Sequence, residues 1–376
     1  MFDDDLYKFT MQQIILHFYG DKKAEYRFKN RGNTKFNDKF ADRLQDEIEN
    51  LSLLVPDKYE LEEFAKIPFI RGDYVEYLSR YRYDPRQVQF SLRDGDLDLR
   101  IKGPWHSAIL WEVKLMALIS EIYFAQHKAT WTMDGQKEKL DRKALLLEAV
   151  DAKYADFGTR RRRSFEVQDL VVRNLVNKHG FLGTSNVHLA IKHGVSAVGT
   201  MAHEWVQGVS VAEDLLHANG IMMDRWNSFY QGQLGVALTD TFTTPHFLYN
   251  SFDAKRAAAF SGVRQDSGDP FWFANQVINR YLQLGINPKT KTIIFSDSLD
   301  AKTAAKLQIH CDGKINCAFG IGTNLTNDFD NLKPINMVIK LWSIDGIPVV
   351  KLSDNAGKNN GDLWMLGVAK RVFGVS

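Results

Sequence analysis

Residues 154–176, YADFGTRRRRSFEVQDLVVRNLV, decide how the fold is read. YADFGT is a short apolar run that ends in small and polar residues, and SFEVQDLVVRNLV has apolar residues at helical spacing. Together they make one strand–helix unit. Working outward, GFLGTS, SAVGT, LGVALTD, FSGVRQDS, TIIFSDS and NCAFGIGT repeat the pattern, each followed by a helical or loop segment. With the first run they give seven units up to Asp328. Serial strand–helix units imply parallel strands, because parallel neighbours need crossovers. The expected fold class is α/β, an incomplete barrel related to the eight-fold type, with a doubly wound open sheet as the competing architecture.

The chain ahead of these units reads differently. EYRFKNR, from Glu25, is a strand candidate. NDKFADRLQDEIENLSLL is an amphipathic helix with Phe40, Leu44, Ile48 and Leu51 on one face. SAILWEVKLMALISEIYF is the most apolar stretch, but Glu112, Lys114 and Glu121 interrupt it, so it reads as a buried helix and not a membrane span. No Pro/Gly/Ser-rich linker marks a boundary, which falls near residues 130–150.

Composition narrows the function classes. Hydrophobic content of 44% and charged content of 25% are ordinary for a globular chain of 376 residues. The formal charge is 48 − 46 = +2, so no global basic field awaits a polyanion, and a nucleic-acid partner is disfavoured. Cys311 and Cys317 form neither a disulfide framework nor a CxxC pair, which fits a reducing, cytoplasmic setting. The opening MFDDDL is not a signal peptide.

Four consecutive arginines, Arg160–Arg163, cannot all face one ligand, since side chains turn by about 100° per residue on a helix and alternate on a strand. One or two of them could grip a phosphate at the strand-to-helix junction, where arginine's two-point fork suits it. A solvated face is the plain alternative. His203, in VGTMAHEWVQG, stands just past a run and is either structural or a nucleophile toward phosphorus. In GVRQDSGDP, Arg264 suits a carboxylate or phosphate, Asp266 suits sugar hydroxyls, and Asp269-Pro270 can start a helix. The bland reading is a capped turn. Asp297, in IIFSDSLD, could hold Mg²⁺ on a phosphate, with Ser298 as a helix cap. Gly322 and Thr323, in FGIGTNLTND, expose backbone N–H groups but lack P-loop spacing. His188 and His193 are spaced for different helix faces and read as structural or solvent-facing.

The strings DLYKFTMQQ, FGTRRR, FLGTSN, VGTMAHEW, GVRQDSGDP, FSDSLD, FGIGTNLTND and VIKLW–KLSD, in this order from Asp5 to Asp354, resemble the nicotinate phosphoribosyltransferase family. The resemblance implies an irregular α/β barrel over about 131–334 and a second α+β domain from 1–130, joined by about 335–376. It implies formation of nicotinate mononucleotide and pyrophosphate from nicotinate and phosphoribosyl pyrophosphate, in NAD biosynthesis or salvage. It further implies ATP as co-substrate through a phosphohistidine, Mg²⁺, and a homodimer with the site at its interface. Carried over residue by residue, His203 matches the phosphohistidine, and Tyr7 and Phe157 the aromatics around the pyridine ring. Ser185 matches the contact to the ring substituent, and Arg264 the cation near the substrate's carboxyl end. Asp266 and Asp297 match the ribose and metal–pyrophosphate side, and Arg160 the phosphate arginine. Gly322, Thr323 and Asn324 match the 5′-phosphate loop, with Asn324 standing where some relatives carry Arg. A cation at one end and a neutral Ser185 favour nicotinate over nicotinamide. The competing readings are a nicotinamide-preferring transferase and a catalytically silent metabolite-binding homologue.

Overall fold

The structure is a computed structural model and describes residues 1–375. Strands lie at Lys23–Asn30 (β1), Val88–Arg93 (β2), Asp96–Pro104 (β3), Tyr154–Asp156 (β4), Phe181–Thr184 (β5), Val236–Leu238 (β6), Gly262–Gln265 (β7), Thr292–Phe295 (β8), Asn316–Ile321 (β9) and Met337–Ile344 (β10). Shorter strands follow at Ile347–Pro348 (β11), Val350–Lys351 (β12) and Asn360–Gly361 (β13). By packing the chain divides into two units. The first comprises Met1–Ala144, Ala155–Gly199 and Ile321–Leu341; the second comprises Leu145–Tyr154, Thr200–Gly320 and the chain from Trp342 onward. This grouping cuts the chain at different places from the sequence-based division at about 130 and 334.

In the first unit β10, β1, β3 and β2 neighbour one another in that order, with β1–β3 and β2–β3 antiparallel. Strand β3 alternates as its sequence demands: Leu97, Leu99 and Ile101 are buried while Asp96 and Asp98 are exposed. The helix Asp38–Leu51 buries Phe40, Leu44, Ile48 and Leu51, and its Asn37 cap accepts from the Phe40 N–H. The apolar stretch forms the helix Trp111–Gln126, buried on almost every face. Its charges are matched: Glu112 ion-pairs with Lys8, and Lys114 donates to the Asp3 carbonyl. Among the described residues no helix is long and apolar enough to cross a membrane.

In the second unit β6, β7, β8 and β9 run parallel in register, with Leu238, Arg264, Ile294 and Ala318 side by side. Gly262 is required there, since a Cβ would lie 2.0 Å from the Thr292 carbonyl oxygen. The helices Pro270–Gln283 and Ala301–Cys311 supply the crossovers after β7 and β8. Six of the seven expected runs contain strands; SAVGT contributes only an isolated bridge, Ala197 to Thr184. Asp269 caps its helix as expected, accepting from Trp272 N–H at 2.7 Å. Ser298 does not cap the next one. It sits at φ 50° with its hydroxyl on Asp297, and Asp300 caps in its place.

Arg162 organises the start of the first unit. Its guanidinium meets both Asp3 oxygens at 2.6 and 2.7 Å, Glu121 at 2.7 Å and Gln168 at 3.0 Å, with only 3% of the side chain exposed. Despite burial, Arg162 holds the Asp3 carboxyl well below its ordinary range. Arg162→Met therefore leaves two carboxylates without their partner. It should cost about 3 kcal/mol in urea unfolding, and the double variant Arg162→Met/Asp3→Asn should cost less than the sum of its singles.

Candidate active site

The chemistry of the second unit gathers around His203, the first residue of the helix His203–Ala212. Its Nδ1 lies 3.0 Å from Thr241 Oγ1, and its Nε2 lies 3.0 Å from both Asp266 Oδ2 and Lys351 Nζ. Asp240, fully buried just beyond β6, takes 2.8 Å from Lys351 Nζ and 2.5 Å from the Ser267 hydroxyl on Oδ2. Its buried Oδ1 has no hydrogen-bond partner among the described residues and stands 3.6 Å from His203 Nε2.

These contacts set the protonation states. Burial first, and then the Lys351 charge, push the His203 pKa down to about 4. The position at a helix N-terminus acts in the same direction. Burial opposes ionisation of Asp266, but the hydrogen bond with His203 and the charges of Arg264 and Lys351 outweigh it and hold the carboxyl well below its ordinary range. The imidazole is thus neutral at pH 7 beside ionised carboxylates. Its two Nε2 contacts are mutually exclusive in kind: Asp266 requires Nε2–H, whereas Lys351 requires the lone pair there and the proton on Nδ1, facing Thr241. In the second arrangement Nε2 is a nucleophile with an ammonium beside it.

His203, Asp240 and Asp266 offer ligand atoms within 4.8 Å of one another, a spacing compatible with a metal ion. The Lys351 ammonium already lies among them and supplies the positive charge. Asp297, just past β8, offers carboxylate oxygens beside the Ser298 hydroxyl, donors of the kind a hard ion takes. Lys358 Nζ rests on Asp297 Oδ1 and on the Asp266 carbonyl at 3.1 Å. Arg264 points back to the Met201 carbonyl at 2.7 Å, with its buried Nε unpaired.

The remaining predicted residues belong to the first unit. The Asp156 carboxylate shapes the turn after β4. It accepts from Gly158 N–H at 2.9 Å, and from Gln168 and Thr184 at 2.8 Å each, and burial pushes its pKa up to about 6. Phe157 lies on this turn and binds Ile321 through its backbone at 2.9 Å. The turn is tied to the loop that follows β9. Thr326 Oγ1 donates to the Gly158 carbonyl, Arg163 N–H to the Thr326 carbonyl, and Asn327 to the Arg161 carbonyl at 2.7 Å. Gly322 packs closely in that loop: a Cβ would lie 3.1 Å from the Phe157 carbonyl oxygen, and the turn would have to give by a few tenths of an ångström to admit one. Thr323 and Asn324 open the short helix Thr323–Thr326, and Lys143 donates to the Asn324 carbonyl. The arginine turn and the Gly322–Asn324 loop are therefore held as one piece.

The four arginines have separate fates. Arg160 is 40% exposed, 3.9 Å from Glu112, in a group that also includes Lys8 and Lys340. Arg161 is half-buried. Arg162 is the ion-pair hub described above. Arg163 is fully buried between Phe124 and Phe329, at 3.8 and 4.2 Å from the ring centroids, and donates to the Leu332 carbonyl. Ser185 directly follows β5, and its hydroxyl donates to buried Asp5 at 2.6 Å. Tyr7 lies in the first turn of the helix Leu6–Tyr19, with its backbone close to Gly199. His188 and His193 hydrogen-bond Glu60 and Asp169, as the structural reading expects.

Sequence reasoning missed Lys351 and Lys358 as site residues, together with Asp5 and Asp156. Lys351 lies within the KLSD string, but nothing local to it signals a contact to a histidine 148 positions away.

Parallel βα strands with carboxylates just beyond their C-terminal ends, a buried histidine at a helix start and lysines from a late hairpin define an α/β enzyme of the group-transfer type. A family model described as "Nicotinate phosphoribosyltransferase (NAPRTase) family" matches residues 152–376, and its N-terminal domain model matches residues 2–120. The chain is 45% identical to the nicotinate phosphoribosyltransferase of Methanosarcina mazei, over 99% of this chain and 97% of that protein. It is 43% identical to that of Chromohalobacter salexigens, over 100% and 98%. The crystal structure of nicotinate phosphoribosyltransferase from Porphyromonas gingivalis superposes with a TM-score of 0.96 at 37% identity, covering 100% of this chain and 99% of that one. A putative nicotinate phosphoribosyltransferase from Saccharomyces cerevisiae gives 0.95 at 35%, covering 100% and 98%. The chain belongs to the nicotinate phosphoribosyltransferase family, and its fold class is the irregular α/β barrel with an α+β domain that the sequence leads one to expect.

A pH prediction follows from His203. Its folded pKa of about 4 lies below its ordinary 6.5. Between these values the unfolded chain binds the extra proton, so this group's contribution is complete above pH 6.5 and declines as pH falls toward 4. Ring NMR of His203 should show a neutral imidazole from pH 8 to about 5. Lys351→Met should move its midpoint upward, because the nearby positive charge is gone; an unchanged midpoint would contradict the assignment.

Proposed function

We propose that the chain is a nicotinate phosphoribosyltransferase of NAD biosynthesis or salvage. It joins the ring nitrogen of nicotinate to the anomeric carbon of phosphoribosyl pyrophosphate and releases pyrophosphate. It couples turnover to ATP hydrolysis by phosphorylating His203. The observation that carries this reading is the neutral, buried imidazole of His203 with Asp266 and Lys351 both 3.0 Å from Nε2. The names of the relatives support the substrates.

Each residue then has work suited to its setting. Nε2 attacks the terminal phosphorus of ATP, an N–P bond forms as the P–O bond to ADP breaks, and Thr241 accepts the Nδ1 proton in a hydrogen bond. Lys351 balances the charge that the transferred phosphoryl brings. Hydrolysis of phosphohistidine restores the imidazole, and the two states differ in affinity for phosphoribosyl pyrophosphate and product. Asp297 would hold Mg²⁺, which would supply positive charge for the leaving pyrophosphate. Arg160 and the Gly322–Asn324 loop bind phosphate, Tyr7 and Phe157 enclose the ring, and Arg264 attracts the substrate carboxylate. Asp5, whose pKa burial raises, accepts the Ser185 hydroxyl and so fixes the orientation of that side chain toward the ring substituent. Positioning and electrostatics supply most of the rate, as for other polyphosphate substrates. A homodimer that completes the site accompanies this reading.

The test is pyrophosphate release with nicotinate or nicotinamide, each with and without ATP. Release with nicotinate, stimulated by ATP, is expected, and His203→Ala should abolish the stimulation. Release with nicotinamide alone would overturn the substrate, and none with either would overturn the activity. Arg160→Ala should raise the KM for phosphoribosyl pyrophosphate about 10- to 100-fold, the loss of one charge-assisted contact.

A further inference from the structure

The chain's two cysteines match no redox motif in their spacing, and the proposed reaction uses neither. The fold nevertheless brings them together within the second unit. Cys311 is the last residue of the helix Ala301–Cys311, and Cys317 is the second residue of β9. A tight turn joins them, in which the N–H groups of Lys314 and Ile315 both donate to the Cys311 carbonyl, at 2.9 and 3.1 Å. Asn316 N–H then donates to the Lys291 carbonyl, and Cys317 falls in register with Ile293. The chain reverses so closely that the two thiols hydrogen-bond each other. Gln308, one helical turn before Cys311 and on its face, also accepts the Cys317 S–H, with Sγ 3.2 Å from Oε1. Cys317 has a single S–H, so it serves either Gln308 or the Cys311 sulfur at any moment.

Buried cysteines are ordinarily inert hydrophobic filling. Two features set this pair apart. One sulfur has a route to solvent: Cys311 is fully buried, but Cys317 lines a cavity of about 270 Å³ together with Gln308, Lys153, Lys289, Asp312 and Lys314. Such a space admits water or a molecule little larger. The two thiols also hold their protons unequally. The hydrogen bond with Cys317, helped by the Lys314 charge, outweighs burial and lowers the pKa of Cys311. The same bond, and then burial, raise that of Cys317. Cys311 therefore gives up its proton first, while lying against the Cys317 sulfur.

We propose that Cys311 and Cys317 form a dithiol modification site, which a small peroxide entering by the cavity converts to an intrachain disulfide. The Cys317 sulfur attacks one peroxide oxygen, and the O–O bond breaks. Hydroxide leaves, takes the thiol proton and becomes water, and Cys317 becomes a sulfenic acid. The Cys311 thiolate then attacks that sulfur, the S–S bond forms, the S–O bond breaks, and the departing hydroxide takes up the Cys311 proton as a second water. Two thiols are oxidised by two electrons and one peroxide is reduced. Register tells what the bond does. Thr292 and Asn316, the first residues of β8 and β9, lie side by side, so the dithiol sits at the N-terminal ends of the strands, whereas Asp240, Asp266 and Asp297 follow the C-terminal ends. The disulfide thus staples helix to strand at the end away from the candidate active site, where a barrel's residues serve stability. The inference is independent of the reaction proposed above.

The experiment uses the native full chain, treated with a few equivalents of hydrogen peroxide, quenched, blocked at its remaining thiols and digested with trypsin. Cleavage after Lys314 separates the two cysteines, so the disulfide is read as a joined pair of peptides, which dithiothreitol should part. The oxidised chain should melt about 2 °C or more above the reduced one in circular dichroism. Cys311→Ser lacks the second thiol and should hold the sulfenic acid at Cys317, where dimedone labels it. Cys317→Ser should leave Cys311 unlabelled, because the cavity does not reach it. The wild-type peptides answer the question even if neither variant folds. Blocked thiols at both positions after peroxide, a bond between two chains, an oxidised chain that melts below the reduced one, or a dimedone label on Cys311 in Cys317→Ser would overturn the proposal.

Discussion

The second unit depends on one ammonium. Lys351 lies 2.8 Å from Asp240 and 3.0 Å from His203, almost sealed from water. Without it Asp240 would be a buried carboxylate with only the Ser267 hydroxyl for company, a situation costing about 3–5 kcal/mol. With it, Asp240 stays ionised, and the neighbouring imidazole, already disfavoured as a cation by burial, is kept neutral. The same charge that makes the core tolerable therefore also helps keep the histidine in its nucleophilic form. Parallel strands make this possible, because β6 and β7 end side by side and deliver Asp240 and Asp266 to adjacent positions.

The first unit solves a related problem with arginines. A run of four like charges reads in sequence as a patch. In the structure, a single 3₁₀ turn at Thr159–Arg161 and an extended Arg162 aim successive side chains in different directions. Arg162 neutralises acidic residues of the N-terminal segment and of the helix Trp111–Gln126, and Arg163 is enclosed by aromatic faces. Those two fix the turn in place. Arg160 is left half-exposed at the edge of a group of cations around Glu112, on a turn anchored by its neighbours.

How much of this was legible follows from the range of the interactions. Helix faces and caps are local, so Phe40, Leu44, Ile48 and Asp269 read correctly. The strand runs were legible because their period and their small-residue ends are local too. SAVGT failed as a strand although it looks like the others, because strand pairing is decided by neighbours far along the chain. Ser298 failed as a cap because its positive φ takes it out of the helix approach and gives the capping place to Asp300. His203, Asp266 and Asp297 were singled out as residue types just past short apolar runs, whereas Lys351 and Lys358 lie on a late hairpin whose destination no short window reveals. Ser185 shows the same limit: its type was visible, its bond to Asp5 was not.

The near-zero formal charge of the chain conceals a strongly charged interior. Asp4, Asp5, Asp156, Asp240, Lys8, Arg162, Arg163 and Lys351 are all buried. Such groups add little net stability, because the attraction between partners is largely cancelled by the loss of water. Apolar residues of similar size would hold the fold at least as well. What apolar residues cannot do is present oriented charge to a polyphosphate without first reorganising solvent. In the first unit Asp156 shapes a turn and Arg162 anchors it, and in the second Lys351 poises a histidine. The buried charges are thus best understood as the means by which each unit fixes the orientation of its polar groups.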